Sequence, residues 1–214
     1  MEQNVEKIIS EAIQKMKLIS SEDIPNINLY MDQVTTFMES QLGQMKRTED
    51  DKILTKTMIN NYAKNNLLPS PEKKKYTKEH VIMLAFIYYF KNLLSINDIN
   101  SLLHPLSEAY FNNADGLNLT QVYDEVVRKR ELLSSELYAD LEKKYAASSE
   151  TFADVKDTAE RNSLQLFALI CMLSFDVYTK KQIVENLIDR LYTPQAPAEN
   201  EKEKKEKKEK EKKK

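Results

Sequence analysis

Two features of the amino-acid sequence predict an all-α fold. The chain has only two glycines among its 214 residues, whereas tight β-hairpin turns and phosphate-binding loops depend on glycine. Apolar residues recur at intervals of three or four positions along most of the chain, which is the period of an amphipathic helix. Hydrophobic residues make up 41% of the sequence, which is enough for one core of ordinary size or two small ones.

Two helices are predicted in the N-terminal part. The first, Val5 to Ile19, has an apolar stripe between charged residues, and Ser20 to Pro25 interrupts its pattern. The second runs from about Leu29 to Met45. The acidic run Glu49 to Asp51 then predicts a loop.

The third predicted helix carries the most distinctive surface. Thr55 precedes it and can accept a hydrogen bond from a backbone N–H two or three residues later, as an N-cap does. Helical spacing directs four residues inward: Leu54, Met58, Ile59 and Tyr62. The opposite arc is polar or basic and has no carboxylate: Lys56, Thr57, Asn60, Asn61 and Lys64. Asparagine is a middling helix former, so this face indicates either a role other than helix stability or chance.

Pro69 and Pro71 predict an extended segment after this helix, because proline disfavours helical geometry in the residue before it. Three lysines follow: Lys73, Lys74 and Lys75. Since no glycine is available for a turn here, any β wing would be tiny. Thr77 is the predicted cap of a helix, Lys78 to Leu94, that is apolar nearly all round and therefore central in the fold.

The C-terminal half predicts further helices. Ser95 and Asp98 form a capping box for a helix that Pro105 is expected to end. A long helix is predicted from Leu119 to Ala146, with one apolar face: Val122, Val126, Leu133, Leu137 and Leu141. An apolar helix, Phe152 to Phe175, and a last helix capped by Thr179 complete the expected bundle.

These elements predict four parts of the chain. Residues 1–28 form an N-terminal amphipathic helix, and residues 29–104 form the unit that contains the third helix. Residues 105–193 form a helical region for dimerisation or ligand sensing. Residues 194–214 form a Glu/Lys tail that has no apolar residue after Pro197 and Ala198, so we expect it to be disordered and at most a weak binder of polyanions.

The charge is unevenly distributed along the chain. Ten basic and five acidic residues lie in 46–91, a net charge of +5, whereas the whole chain carries −2. Nine basic and six acidic residues in 199–214 give +3. A local basic block in an otherwise acidic chain is typical of a confined contact with a polyanion. A solvated surface is the alternative.

The sequence offers no catalytic or metal site, so we expect no enzyme activity and no cofactor. His80 and His104 stand apart and lack the spacing of metal ligands. Cys171 is the single cysteine, lies in an apolar run, cannot form an internal disulfide, and is predicted to be a core residue.

We also predict no membrane contact and a cytoplasmic location. The apolar blocks Val81 to Phe90 and Leu164 to Phe175 are shorter than the ~20 residues of a membrane span. Both are predicted to be buried core helices. No charged leader with an apolar core opens the chain.

Several segments together carry a family resemblance. Tyr62 with Asn66 to Pro69, then Lys75 to Thr77 before an apolar helix, then Leu94 to Leu103, follow one order over about fifty residues. This order resembles the DNA-binding domain of MerR-type transcription regulators. That family has a recognition helix ending in Leu-Leu/Ile-Pro, a basic wing ending in Arg/Lys-Tyr-Ser/Thr, a helix, and a serine cap before a fourth helix. The chain also resembles an uncharacterised domain-of-unknown-function family of Gram-positive bacterial proteins that itself looks MerR-like.

Some features depart from the MerR-type pattern. The connection through Glu49 to Asp51 is longer than the family turn, and the wing lacks its glycine. An additional amphipathic helix precedes the motif, and the C-terminal half is longer and more apolar. The resemblance implies an all-α, MerR-like winged helix-turn-helix with at most a tiny β wing, followed by a C-terminal helical bundle.

The resemblance also implies a function, a sequence-specific DNA-binding transcriptional regulator. The Lys56 to Lys64 face would enter the major groove, where Asn60 or Asn61 would pair with adenine. Phosphates would be contacted by five lysines: Lys56, Lys64, Lys73, Lys74 and Lys75. The expected partners are double-stranded DNA and a second copy of the chain, and a small-molecule effector is left open. The alternative is a helical protein–protein interaction module that keeps the fold without binding DNA.

Overall fold

The computed structural model describes residues 2–16, 18–132 and 134–192. This part of the chain is mostly helical, as predicted. Its helices are α1 (Glu2–Lys15), α2 (Met31–Leu42), α3 (Lys56–Lys64), α4 (Lys78–Phe90), α5 (Ile96–Tyr110), α6 (Leu119–Leu132), α7 (Ser134–Ser149) and α8 (Thr158–Leu191). Its strands are β1 (Leu29–Tyr30) and β2 (Lys75–Tyr76). Leu133 and the predicted tail lie outside the described residues.

The central helix of the core is α4. Every residue from His80 to Tyr88 is buried, which confirms the prediction made from its nearly uniform apolarity. The helix ends at Phe90 rather than at Leu94, because a turn then leads to the Ser95 cap of α5. Buried side chains of α2, α3, α5 and α6 join α4 in one core cluster.

The strands β1 and β2 form a small antiparallel sheet. Leu29 is opposite Tyr76, and Tyr30 is opposite Lys75. The helix predicted from Leu29 therefore begins at Met31, since its first two residues pair with β2 instead. After α2, the chain continues in a short 3₁₀ turn, Gly43–Met45.

Ile19 determines where the first helix ends. Its side chain is buried, its N–H donates to the Tyr89 hydroxyl at 2.9 Å, and its carbonyl accepts from the Tyr123 hydroxyl at 2.6 Å. The N–H and carbonyl of Ile19 therefore bond tyrosine hydroxyls and not the backbone of a longer first helix. The predicted helix Val5 to Ile19 thus ends at Lys15.

The expected end of the fifth helix at Pro105 is wrong. The Ser95 and Asp98 capping box is present, with both reciprocal hydrogen bonds at 3.1 Å. However, α5 continues through Pro105 to Tyr110. Proline removes one backbone donor, and beyond it Leu106 and Tyr110 pack against the core and compensate for that loss.

The long helix predicted from Leu119 to Ala146 is described as α6 and α7. The predicted apolar face of its first half is displaced by one position. The buried residues are Leu119, Tyr123 and Val127, whereas Val126 is exposed. Tyr123 decides this orientation because its hydroxyl reaches Ile19 and its ring packs edge-on against Phe86 at 5.2 Å.

The last two predicted helices form one helix, α8. It begins after Asp157, whose Oδ1 accepts from the Glu160 N–H at 2.8 Å, and it passes through Thr179 without interruption. Residues 152–157, which were predicted to be helical, precede it as turn and extended chain. No glycine or proline lies between Thr158 and Leu191, so nothing in the sequence interrupts the backbone ladder.

The prediction that Leu164 to Phe175 is a buried core helix is also wrong. Leu169 is buried, but the exposed fractions are 62% for Phe167, 54% for Ile170 and 68% for Phe175. Cys171 is half-buried rather than a core residue. These exposed fractions leave the apolar surface of α8 largely uncovered within the described chain. By length and composition alone α8 could cross a membrane, which is weak evidence for a span.

Candidate functional site

The third helix is built as the sequence predicts. Thr55 Oγ1 accepts from the Met58 N–H at 3.2 Å, and Ile59 and Tyr62 are buried against the core. The other face is entirely exposed: Lys56, Thr57, Asn60, Asn61 and Lys64. A short helix therefore presents amide, hydroxyl and ammonium groups to solvent from a fixed base.

A left-handed asparagine ends α3. Asn66 has a φ of 57°, a conformation more usual for glycine. The Leu67 N–H donates to the Tyr62 carbonyl at 2.9 Å, and the Asn66 N–H donates to the Ala63 carbonyl at 3.3 Å. This is the hydrogen-bond pattern of a Schellman motif. It turns the chain sharply, and Leu67 returns to the core.

A tight turn with lysines at its tip precedes β2; we call Glu72 to Lys75 the lysine turn. The Lys75 N–H donates to the Glu72 carbonyl at 2.9 Å. Lys73 and Lys74 have φ angles of 48° and 63°, and two positive φ values at the central positions are the pattern of a type I′ turn. Glycine is the residue expected for this geometry, so the left-handed conformation of Lys73 and Lys74 was not predicted from the sequence.

The first turn of α2 connects α3 with the lysine turn. Lys56, at the start of α3, forms an ion pair with Asp32. The Lys75 ammonium lies 5.8 Å from the centre of the Tyr30 ring. Tyr30 and Asp32 are two residues apart at the start of α2. Neither residue was identified from the sequence as part of this surface, because it is the pairing of β1 with β2 that brings the start of α2 next to Lys75.

The eight residues predicted to contact DNA are all exposed, and we call them together the α3–turn surface: Lys56, Thr57, Asn60, Asn61, Lys64, Lys73, Lys74 and Lys75. Lys56 contacts Asp32 and Lys75 contacts Tyr30, and both of these partners lie at the start of α2. Asp32 and Glu72 add carboxylates beside the lysines. Cations outnumber anions on this surface, but the ion pair with Asp32 partly neutralises Lys56.

A buried histidine lies next to the lysine turn. His80 Nδ1 accepts from the Thr77 N–H at 3.0 Å, and its ring packs edge-on against Tyr76 and Phe111. Burial lowers the pKa of His80 to about 4, although the carbonyls of Ser70 and Pro69 partly oppose this effect. His80 is therefore neutral at pH 7 and supports β2.

Lys91 belongs to the basic block of the sequence but not to this surface. Its ammonium donates to the Ile53 carbonyl at 2.7 Å and lies 4.7 Å from the centre of the Tyr88 ring. Partial burial lowers its pKa. Lys91 thus holds the end of α4 to the loop before α3, so its charge is structural.

An apolar cavity of 810 Å³ lies among α4, α5 and α6 on another part of the molecule. Leu102, Leu106 and Val122 are among its lining residues, and Gln121 and Glu125 add polar groups. Among the described residues, no group of three His, Cys, Asp or Glu side chains could hold a metal ion. His104 lies 3.5 Å from Glu108 on one exposed helix face.

Comparison with known proteins gives a family but no close relative. A search of the curated proteins and a search of the solved structures found no match. Among protein families, residues 19–126 match the Domain of unknown function (DUF1836). This match begins at Ile19, includes α2 to α5 with the strand pair, and ends within α6. It covers about half of the chain, and the protein therefore belongs to the DUF1836 family.

Proposed function

We propose that this protein is a cytoplasmic, sequence-specific transcriptional regulator that binds double-stranded DNA through the α3–turn surface. It would act by binding and not by catalysis. One observation carries the proposal: a helix face without carboxylates and a lysine-tipped turn are both attached to the first turn of α2. The resemblance of this region to MerR-type domains supports the same function, with the strand pair as a reduced wing.

The chemistry of α3 suits the major groove. Nine residues give a helix ~13 Å long, short enough to present its exposed face to a few base pairs. Asn60 and Asn61 carry the amide that pairs bidentately with adenine, a contact that discriminates by ~1 to 3 kcal/mol. Lys64 and the lysines of the turn are suited to phosphates, which position the protein without reading sequence.

The conformation of the lysine turn further supports a role for its charges. Left-handed geometry costs a non-glycine residue roughly 1 to 2 kcal/mol, and Lys73 and Lys74 both adopt it. Asn-Gly would form the same turn more favourably. Two lysines at these positions are therefore unfavourable for stability. Contact of their ammonium groups with a polyanion would explain why they stand there.

The first experiment uses a turn variant that separates charge from folding. DNA sequences selected from a random pool would be measured by fluorescence anisotropy across a salt series. Lys73→Asn with Lys74→Gly should raise the melting temperature, because both new residues favour the turn. The same variant should bind DNA more weakly and reduce the slope of log K against log salt by about 2, at roughly 0.9 per lost phosphate contact.

A matched control removes two lysines elsewhere. Lys129 in α6 and Lys156 before α8 are exposed, so changing both to alanine should leave the salt slope unchanged. In the opposite direction, Asp32→Asn releases Lys56 and removes a carboxylate, and it should tighten binding at low salt. Failure to select any DNA at low salt would overturn the proposal, and so would equal slopes for the turn variant and the control.

Sequence reading is tested separately from affinity. Asn60→Ala and Asn61→Ala should relax the preference for adenine at one position each, with binding weakened by ~1 to 3 kcal/mol for the selected site. Binding to an unrelated sequence should hardly change. Equal losses on both DNAs would contradict base recognition by these residues.

A second candidate is a protein–protein interaction module. The apolar cavity among α4, α5 and α6 favours it, because such a lining suits an apolar side chain of a partner. In that case Leu102→Asp and Leu106→Asp would abolish capture of the partner while the turn variant bound it normally. The DNA series distinguishes the two candidates, since a protein partner predicts no DNA contact at the lysine turn.

A further inference from the structure

The apolar cavity among α4, α5 and α6 extends to the last residue that the structure describes. Its volume is 810 Å³, and Tyr192 lines it together with three other aromatic residues, Phe86, Phe90 and Tyr110. The rings of Phe86 and Phe90 stack with their centres 5.9 Å apart. Tyr192 is therefore part of the cavity wall and also the point from which the chain continues beyond α8.

The end of α8 is fixed to the core at this point. Ile188 is buried, and Val184 packs against the core cluster. The Tyr192 N–H donates to the Ile188 carbonyl at 2.9 Å, and the helix ends there. The next residue in the sequence is consequently joined directly to the wall of the cavity.

The sequence that follows Tyr192 has a distinctive composition. Residues 193–198 read TPQAPA and carry no charge, whereas charged residues dominate from Glu199 onwards. Pro194 and Pro197 have the spacing of a PxxP motif. Such segments favour the polyproline II conformation and dock in aromatic-lined grooves. In this chain a single residue, Thr193, separates an uncharged PxxP segment from an aromatic cavity.

The segment and the cavity agree in size. The four residues from 194 to 197 extend ~12 Å in the polyproline II conformation, at ~3.1 Å per residue. A sphere with the volume of the cavity has a diameter of about 12 Å. The cavity can therefore accommodate the PxxP segment, and the charged residues after it would lie outside.

The rim of the cavity offers both apolar surface and hydrogen-bond donors. Leu117, Val126 and Tyr192 line it and are 51%, 49% and 43% exposed. A polyproline II strand makes no internal hydrogen bonds, so its carbonyls need donors. Gln121 Oε1 accepts from the Asn118 N–H at 3.0 Å, which orients this side chain at the rim, and its amide nitrogen carries two donors.

We propose that residues 193–198 dock in the cavity of their own chain, with Pro194 and Pro197 against its aromatic side chains. The covalent connection favours this occupant, because a short link gives an effective concentration in the millimolar range. The docked segment covers the surface that an apolar side chain of a protein partner would otherwise use. The inference rests on the cavity and this segment, and it does not depend on DNA binding.

The first experiment measures how fast a thiol in the cavity reacts. Val126→Cys places this thiol on the exposed wall, in a full chain that also carries Cys171→Ser. Its reaction with 5,5′-dithiobis(2-nitrobenzoic acid) should be slower than in the same chain with Pro194→Gly and Pro197→Gly. A docked population of two-thirds leaves one-third of the chains reactive, so we expect a difference of about threefold or more.

Two controls separate docking from general effects of the tail. Glu203→Gly with Lys204→Gly introduces two glycines beyond the segment at unchanged net charge, and it should leave the rate of the Val126→Cys thiol unchanged. Tyr138→Cys changes a partly exposed residue of α7, and its rate should not depend on the two prolines. Equal rates for Val126→Cys with and without the prolines would overturn the proposal.

Protein concentration distinguishes a chain's own segment from that of another molecule. Docking within one chain predicts the same protection of the Val126→Cys thiol at every concentration. Protection that increases with concentration would mean docking between molecules and would overturn the proposal.

Cross-linking tests the location of the segment. In a Cys171→Ser chain, Leu117→Cys with Ala196→Cys should form an intramolecular disulfide on mild oxidation, since a disulfide requires Cα atoms within ~7 Å. The matched pair is Leu117→Cys with Lys205→Cys, whose second cysteine lies further along the tail and should give a clearly lower yield. Equal yields for the two pairs would place the segment outside the cavity and overturn the proposal.

Discussion

His80 connects the lysine turn to the core through one buried ring. It receives a hydrogen bond from Thr77 at the start of α4 and contacts Tyr76 of β2 and Phe111 after α5. Burial disfavours the charged imidazolium, which is why its pKa falls to about 4. The ring therefore supports the turn only in its neutral form.

Stability should consequently depend on pH through His80. In the unfolded chain its pKa is about 6.5, so below that pH the unfolded state binds more protons than the folded state. Folding stability is therefore complete above about pH 6.5 and is lost as the pH falls toward 4, by up to about 3 kcal/mol at roughly 1.4 kcal/mol per unit. Urea unfolding at a series of pH values measures this loss.

The variant His80→Gln is the comparison for that series. It is less stable at pH 7.5 but lacks the titrating group, so its difference from the wild type should shrink between pH 6.5 and 4. As a control, His104→Gln changes an exposed histidine and should leave the wild-type profile in place. A constant difference between wild type and His80→Gln would contradict a depressed pKa.

Two tyrosines clamp the segment that enters the core at Ile19. Tyr89 of α4 and Tyr123 of α6 bond the N–H and the carbonyl of this one residue. Burial raises the pKa of the Tyr123 hydroxyl, so it stays protonated and donates. The clamp fixes the connection between the end of α1 and the core, and it orients α6 on α4.

Removal of the Tyr123 hydroxyl should destabilise the fold. Tyr123→Phe keeps the ring but leaves the buried Ile19 carbonyl without this donor, at a cost of about 1 to 3 kcal/mol. Chemical denaturation measures the change. Tyr138→Phe alters a partly exposed tyrosine of α7 and should fall within about 0.5 kcal/mol of the wild type. Equal effects of both changes would refute the clamp.

At the scale of elements, local signals predicted three helix starts correctly, whereas the starts expected at Leu29, Phe152 and Thr179 were wrong. Thr55, Thr77 and Ser95 precede helices as expected, because an N-cap depends on residues close in sequence. The ends of α1 and α5 depended on distant partners instead. Ile19 is held by Tyr89 and Tyr123, and the turn after Pro105 is held by core packing.

For the whole molecule, the expected second copy of the chain and the proposed DNA contact together predict how binding depends on the length of the site. Two subunits related by a twofold axis would place two α3–turn surfaces on a palindromic site. The slope of log K against log salt should therefore be about twice as large on a full selected site as on an isolated half-site, since each subunit makes half of the phosphate contacts.

The same anisotropy assay measures both slopes, with the full site and the half-site taken from one selected sequence. Equal slopes on the two sites would contradict the arrangement with two subunits and would leave the contact of a single α3–turn surface standing. Absence of binding to both sites would contradict the proposed function itself.

The sequence by itself determined the helical class, the caps at Thr55, Thr77 and Ser95, the central position of α4 and the exposed face of α3. Each depends on residues within a few turns of one another, where spacing and capping chemistry are sufficient. Only the tertiary structure decided that Leu29 and Tyr30 pair with β2 and that Lys73 and Lys74 adopt left-handed geometry. It also decided that α8 is one helix whose apolar surface is largely exposed. These outcomes depend on contacts between residues far apart in sequence, which local periodicity does not encode.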